Sequence, residues 1–447
     1  MFHEKARKNF ISKSEELLLL MRKYEMEKNE YDQINDDIYV SHEIKHDDII
    51  GEIKFGITNG FGDDLGKYFK HKNECWGIFL DDYKKLKEIA FNIFRIDSIK
   101  KRTSYVFVIE QLFDWARLRF LGEIKQDFCK FFEEKMSKVV KNYEVWIPIP
   151  YTRIVTPIRI GNIDFKNIQK SFFEDKFNIM NEIEDEIQRV KLIEYQNKLR
   201  EDFQGYMVGV LNVTAELTRA KELAYEEVSI SLGILRTFSE SNFVIEKHNL
   251  THEYAHKTAR VKKNFVYDLE ADTIAYNEAM IDGDVRWVID SEVFGFLKKQ
   301  IDIINPILLS TQKTEFQNKV IDSLMTYSKN ILRFDLSDRI MYILVALESL
   351  LLRNDSEPIQ QNIGERLAFA IGKNIEDRIK IIKNVRAVYS YRSKFVHHGI
   401  ELDNEIQDIR DFMLNVWFFI QSLYSVINVF PSKEWNVNTL LDNFLKV

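Results

Sequence analysis

The chain has 447 residues, of which 45% are hydrophobic and 30% are charged, and its formal net charge is −7. This composition excludes a disordered or fibrous chain, and the length predicts two to three domains. The negative total excludes an overall basic coat for nucleic acid, although it permits a local basic site. Two cysteines, Cys75 and Cys129, are too few for a disulfide framework or a cysteine-based zinc site, which favours a reducing, cytoplasmic environment.

The remaining composition favours a helical protein outside the membrane. Gly (16) and Pro (6) are scarce, and few helix breakers over so long a chain favour helices. The amino terminus lacks the apolar core of a signal peptide, and no apolar run reaches the length of about 18 residues that a membrane span needs. We therefore expect neither a secretion signal nor a membrane-spanning helix.

The amino-terminal part alternates between helical and extended patterns. A charged helix is predicted for residues 1–37, short strands for 38–70 and helices for 80–142. Residues 144–166 contain three of the six prolines, and their alternating pattern predicts edge strands or strand ends.

Helical spacing returns over residues 170–240, whereas 241–285 shows no clear pattern. We therefore predict an α+β region over residues 1–283, with a division into two subdomains left open. A sensing or regulatory role is expected for this region.

Uniformly helical spacing begins near residue 284. Pro306 is expected to separate the first two helices, Ser337 to cap the third, and Asn374 with Asp377 to cap the fifth. The predicted helices lie near 286–304, 315–333, 337–353, 360–372, 375–397 and 404–430. The expected fold class is mainly α, with an all-helical bundle over residues 284–447 preceded by the α+β region.

One short segment carries candidate chemistry. Arg392 is followed, after four residues, by His397, with His398 and Gly399 directly behind it. The pair lies at the end of an amphipathic helix, and Gly399 is a residue that favours a left-handed helix stop.

Three segments together resemble a known family: ALESLLL (346–352), GERLAFAIG (364–372) and VYSYRSKFVHHG (388–399). They look like the Apea-like branch of the HEPN ribonucleases, over roughly residues 286–430. The resemblance implies a helical bundle that dimerises and cuts RNA without a metal or other cofactor, as a toxin-like enzyme of phage defence or abortive infection. The family's motif, Arg followed by four to six residues and His, maps onto Arg392 and His397. The next position, often Asn, Asp or His in the family, is Ser393 here.

The residue types suit this chemistry, because RNA carries its own nucleophile in the 2′-hydroxyl. A histidine with a pKa near neutrality can accept that proton or protonate the leaving 5′-oxygen, and an arginine can stabilise the phosphate in the transition state. We expect products with a 2′,3′-cyclic phosphate (or a 3′-phosphate) and a 5′-hydroxyl, from tRNA, mRNA or rRNA. His398 is a candidate second acid or base.

The spacing poses a geometric question, because five helical steps amount to a net turn of about 140°. Arg392 and His397 therefore do not share one helical face. Either the arginine reaches round, or the helix loosens before Gly399, or a homodimer combines the two motifs. The aromatic run Trp417, Phe418 and Phe419 is the expected dimer surface.

The surroundings of Arg392 predict an RNA contact surface. Residues 361–400 contain eight Lys or Arg against three Asp or Glu, which is a local positive charge suited to a phosphate backbone. Glu348 lies at the edge of an apolar helical face, and Arg366 or Arg392 is its expected basic partner. The supporting set that we assign consists of Glu348, Arg366, Arg386, Tyr391 and Lys394.

A second motif gives an alternative function. Residues His252 to His256 match the H-E-x-x-H pattern of zinc metalloproteases, in which two histidines share one helical face and the glutamate activates water. Glu278 is the candidate third ligand. Basic residues crowd this segment, so the histidines are better interpreted as incidental residues of a solvated helix. A catalytically inactive HEPN module that binds RNA or a partner is the other alternative.

Overall fold

The chain forms two compact units, made of residues 1–143 with 212–223 and of residues 144–211 with 224–447. The computed structural model describes residues 2–24, 55–58, 64–72, 74–171, 185–247, 249, 251–252, 261–268, 273–280, 287–354, 356–398 and 406–445. The chain is mainly α-helical, with several small sheets in the part that precedes residue 290. This agrees with the predicted fold class. The predicted domain boundary near residue 284 stays a prediction.

The first unit combines helices with one four-stranded antiparallel sheet of order β1-β4-β3-β2. Its elements are α1 (Glu4–Glu16), β1 (Arg22–Tyr24), β2 (Phe55–Thr58), β3 (Asp64–His71), β4 (Glu74–Phe79), α2 (Leu80–Phe94), α3 (Asp97–Lys100), α4 (Tyr105–Phe120) and α5 (Phe128–Val139). Trp115, Phe128 and Phe132 are buried in its apolar core. The side chains of Ser104 and Asp127 cap α4 and α5, as expected of short polar residues at helix starts.

The predicted helix over residues 1–37 is wrong beyond Glu16. Residues Leu17–Leu20 form a 3-10 turn, and β1 then pairs antiparallel with β4. Pairing with a distant strand outweighs local helix propensity here. Residues 25–37, and the part of the predicted strand region before Phe55, lie outside the described residues.

The second unit begins with small sheets. Its strands are β5 (Lys141–Ile149), β6 (Thr152–Ile154), β7 (Ile158–Ile160), β8 (Ile163–Asn167), β9 (Met207–Ala215), β10 (Val261–Asp268), β11 (Thr273–Met280) and β12 (Trp287–Ile289). Strands β5, β9, β8 and β7 form one sheet in that order, β10 and β11 form an antiparallel hairpin, and β12 pairs parallel with β6.

The predicted strand region 144–166 is confirmed, and its prolines lie in or beside the edge strands β5 and β7. The prediction of uninterrupted helix over residues 170–240 is wrong, because β9 lies between α6 (Glu186–Phe203) and α7 (Leu217–Arg236). The β-branched sequence MVGVLNVTA suits a strand buried between neighbours. Residues 172–184 lie outside the described part of the chain.

Seven helices follow β12 in the described residues: α8 (Ser291–Leu309), α9 (Glu315–Tyr327), α10 (Leu336–Leu351), α11 (Ile359–Ile371), α12 (Ile375–His398), α13 (Ile406–Val426) and α14 (Lys433–Leu445). The six predicted helices correspond to α8 through α13, and α14 was not predicted. Pro306 does not separate α8 from α9 as expected, since it lies inside α8. The cap of α10 is Asp335 rather than Ser337, whereas Asn374 does cap α12 by accepting from the Asp377 amide at 2.9 Å.

The apolar stripe predicted for α10 is buried. Ile340, Ile343, Leu344, Leu347 and Leu351 are each at most 1% exposed. Burial of this stripe leaves Met341, Val345 and Glu348 on the less buried side of the helix. None of the helices in the described ranges combines the length and the apolar character that a membrane crossing requires.

Candidate active site around Arg392

Helix α12 presents the candidate motif in a continuous α-helix that runs as far as His398. Val385 and Val388 are fully buried and hold this helix against its neighbours. The helix therefore does not loosen between Arg392 and His398, and positions 392 and 397 are separated by about 140° around its axis. Gly399, the predicted stop, lies outside the described residues.

Tyr389 and Glu348 join α12 to α10 one turn before the motif. The Tyr389 hydroxyl donates to Glu348 Oε1 at 2.9 Å. Burial raises the pKa of Tyr389 far above its ordinary value, and the negative charge of Glu348 adds to this effect. The tyrosine is therefore a permanent donor at physiological pH, and one carboxylate oxygen has a fixed position. With only 9% of its surface exposed, Tyr389 packs in the protein and does not stack on a base.

Arg392 is held beside this pair by an unusual contact. Its Nε donates to the Met341 sulfur at 3.2 Å. The guanidinium lies close enough to Tyr389 for its positive charge to act on the pKa of that hydroxyl. Within the described part of the chain, the terminal nitrogens Nη1 and Nη2 of Arg392 have no hydrogen-bond partner. A guanidinium fixed at Nε and open at both terminal nitrogens can bind two phosphate oxygens.

Arg366, one of the two expected basic partners of Glu348 with Arg392, does not pair with that carboxylate. It pairs in a fork with Glu357, at 2.7 Å from Nη1 to Oε2 and 2.9 Å from Nη2 to Oε1. Nη1 also donates to the Leu351 carbonyl, and the Arg366 side chain is 4% exposed. The pair lowers the pKa of Glu357 to about 2. Arg366 therefore supports the loop between α10 and α11 and is too buried to touch RNA.

The other predicted support residues lie along α12. The Tyr391 hydroxyl donates to Asp408 Oδ2 at 2.6 Å, which links α12 to α13. Arg386 is exposed on the same helix. The side chains of Lys394, His397 and His398 lie outside the described part of the structure, so their contacts stay predictions.

The first residue of the zinc motif, His252, does not lie on a helix as expected. His252 is 3% exposed and lies in irregular backbone, so the prediction of a solvated helix is wrong at this residue. Glu253 to His256 lie outside the described residues. Glu278 lies in β11, opposite Lys263 of β10. Among the residues that the structure describes, no three His, Cys, Asp or Glu side chains cluster as metal ligands do.

Two contacts of this site were not found from the sequence. The first is the contact of Arg392 with Met341. Met341 and Glu348 are seven residues apart, so both lie on one face of α10, and this spacing indicates that they contact the same neighbouring helix. Glu357 lies in a loop, nine residues before Arg366, where no periodicity indicates a partner.

Comparisons with known proteins give no independent identification. No family model, no curated protein and no solved structure matches the chain. The geometry of the site and the resemblance of the three segments are therefore the observations that bear on function.

Proposed function

We propose that the carboxy-terminal helices form a HEPN-type endoribonuclease that cuts RNA without a metal, with Arg392 and His397 as its catalytic residues. The observation that carries the proposal is the position of Arg392, which is fixed through Nε and unpartnered at both terminal nitrogens in the described structure. Arg366, a structural arginine of the same helical region, instead uses both terminal nitrogens inside the protein. An unoccupied, pre-positioned fork is suited to the negative charge of a phosphoryl transition state.

The reaction requires a nucleophile, a base that accepts the proton of that nucleophile, and an acid that protonates the leaving group. The 2′-hydroxyl attacks the adjacent phosphorus, its proton passes to a base, and the leaving 5′-oxygen receives a proton from an acid. His397 is assigned to one of these two transfers, and His398 is the candidate for the other. Arg392 stabilises the extra negative charge on the phosphate. The products are a 2′,3′-cyclic phosphate and a 5′-hydroxyl.

A homodimer completes the proposed site. Because α12 stays helical through His398, one helix presents positions 392 and 397 on different sides. Two copies that meet along their motif ends place an arginine of one copy near a histidine of the other. Of the predicted aromatic dimer surface, Phe419 is buried and Trp417 donates to the Thr237 carbonyl inside the same unit, so the three residues do not form a continuous exposed surface. The dimer contact is therefore assigned to the motif ends rather than to these aromatic residues.

We assign the activity to the cytoplasm and to defence against phage, through cleavage of tRNA, mRNA or rRNA. Both assignments come from the resemblance and from the cysteine content. No observation favours the catalytically inactive module or the zinc protease over the nuclease.

The test is cleavage of end-labelled total RNA or tRNA, with and without EDTA, by wild type and by His397→Ala. His3→Ala is the matched control, because His3 is an exposed histidine of the first unit. We expect cleavage by wild type and His3→Ala, ends that carry a cyclic phosphate, and no cleavage by His397→Ala. Equal cleavage by all three proteins would exclude His397 from the chemistry. Cleavage that EDTA abolishes would reopen the metal site at His252, His256 and Glu278.

A further inference from the structure

A concave site separate from Arg392 lies between the first half of α12 and helix α13. The cavity has a volume of about 590 Å³. This is within the range of roughly 300–1,000 Å³ that small-molecule sites occupy. Every residue that lines it belongs to the second unit. The distance along α12 from Asn384, in the cavity wall, to Arg392 is eight residues, or about 12 Å of helix.

The wall has an exposed apolar side. Phe418 and Leu414 of α13 are 51% and 37% exposed, and both line the cavity together with the buried Ile381. Large apolar side chains that are exposed inside a concavity, rather than scattered singly, mark a surface that something flat and apolar covers. A half-exposed phenylalanine ring provides a face on which a base can stack.

The polar side of the wall contains two available cations. Lys373 and Lys380 line the cavity, and within the described residues neither of them forms an ion pair. The nearby Arg378 is not available in the same way, because its guanidinium stacks on Phe369 at 4.3 Å and donates to the Gly372 carbonyl. The two lysines are suited to one phosphate group.

An amide and a carboxylate complete the wall. Asn384 donates from Nδ2 to the Asp408 carbonyl at 2.7 Å, while its Oδ1 is buried and has no partner among the described residues. A buried acceptor of this kind calls for a donor, such as the exocyclic amino group of a base. Asp377, also in the wall, offers a carboxylate of the type that accepts ribose hydroxyls in nucleotide sites.

We infer that this cavity binds a nucleoside phosphate, with the base against Phe418, the amide of Asn384 at the base edge and the phosphate between Lys373 and Lys380. Two lysines and two carboxylates, Asp377 and Asp411, line the cavity. A simple anion would be attracted by the two lysines and repelled by the two carboxylates. A nucleoside monophosphate can use both, because its phosphate binds the lysines and its hydroxyl or amino groups donate to the carboxylates. The ligand is either a free nucleotide or one unit of an RNA strand, and only the second source depends on the proposed ribonuclease.

Titration calorimetry with each of the four nucleoside monophosphates, with adenosine and with inorganic phosphate tests the assignment on the full chain. We expect saturable binding of the monophosphates and at least tenfold weaker binding of adenosine and phosphate alone. AMP and CMP, which carry an amino group, bind more tightly than UMP, and the reverse order would contradict the role of Asn384.

Phe418→Ala and Lys380→Ala are each expected to weaken AMP binding at least tenfold. Phe91→Ala and Lys319→Ala are the matched controls, since both replace exposed residues outside the cavity and leave AMP binding unchanged. Each variant is first checked for an unaltered melting temperature. Absence of monophosphate binding, or binding that both cavity variants retain, would overturn the inference.

A short RNA with 2′-O-methyl groups, which cannot be cut by 2′-hydroxyl attack, separates the two sources. Competition between AMP and this RNA, with RNA affinity lowered in Phe418→Ala, assigns the cavity to a unit of the RNA strand. RNA binding that AMP and Phe418→Ala leave unchanged assigns it to a free nucleotide. Because binding is measured without turnover, both results stand even if the protein cleaves no RNA.

Discussion

Two arginines contact helix α10, Arg366 of α11 through the Leu351 carbonyl and Arg392 of α12 through the Met341 sulfur, and they differ in which nitrogens they leave open. Arg366 uses both terminal nitrogens inside the protein, on Glu357 and on the Leu351 carbonyl. Arg392 uses only Nε, on the Met341 sulfur, and the nearby Glu348 receives its hydrogen bond from Tyr389 instead. The tyrosine therefore holds one oxygen of Glu348, and within the described residues Arg392 forms no ion pair with that carboxylate. Arg366 stabilises the fold, whereas Arg392 leaves its two terminal nitrogens open.

The largest expected effect separates the two arginines by activity. Arg392→Ala should lower kcat/KM for RNA cleavage by about 100- to 1,000-fold, which is typical of losing one charge-stabilising group in a transition state. Its free energy of unfolding should change by no more than about 0.5 kcal/mol, because few contacts are lost at a partly exposed site. Single-turnover cleavage and urea denaturation measure the two quantities. A large loss of stability would contradict the division of roles.

Arg366→Ala should reverse this pattern. Its removal leaves Glu357 without the fork that holds it, and breaking a buried pair costs about 3 kcal/mol. We expect a clearly lower urea midpoint, with cleavage per folded molecule within about threefold of wild type. Arg386→Ala is the matched control for stability alone, since Arg386 is an exposed arginine of α12. The comparison fails if Arg366→Ala keeps full stability, or if Arg386→Ala loses as much.

Acid should weaken the pair of Arg366 and Glu357. The pKa of Glu357 is lowered to about 2 from its ordinary value of 4.5, chiefly by the Arg366 hydrogen bond. A carboxylate with a depressed pKa contributes stability that is fully present above about pH 4.5 and is lost as the pH falls through about 2. Glu357→Gln should therefore be less stable than wild type at pH 7, and the difference should shrink below pH 4.5. Urea midpoints measured from pH 7 to pH 2 test this, and a difference that stays constant would refute it.

The region of α10 and α12 shows which features of the fold can be predicted from the sequence. The stripe from Ile340 to Leu351 predicts both the helix and its buried face, because periodicity is a property of the local sequence. Asn374 likewise predicts the start of α12. The partner of Glu348 was not predictable in this way, because a tyrosine 41 positions later meets it only through tertiary packing.

The same limit explains the errors elsewhere in the chain. Strands β9 and β1 are stabilised by pairing with strands distant in sequence. Their local sequence patterns alone predict helix. Pro306 was expected to end a helix, but α8 continues past it to Leu309. A proline removes one amide donor and its ring crowds the preceding turn, but burial of Ile304 and Ile307 on either side of Pro306 stabilises a helix that continues past it.

The smallest expected effect tests whether Tyr389 keeps Arg392 available. In Tyr389→Phe the Glu348 oxygen loses its donor, and we expect the Arg392 guanidinium to replace it. We expect cleavage to fall about tenfold, with about 1 kcal/mol lost in stability, as for one buried hydrogen bond.

The double variant Tyr389→Phe with Glu348→Gln separates positioning from packing. Glu348→Gln removes the negative charge that would draw the arginine away, so it should restore part of the activity that Tyr389→Phe loses. A coupling energy of about 1 kcal/mol in kcat/KM, measured by the cycle of the two single variants and the double, would support the positioning role. If the two losses simply add in activity, Tyr389 only packs between α10 and α12, and the open guanidinium of Arg392 depends on Met341 alone.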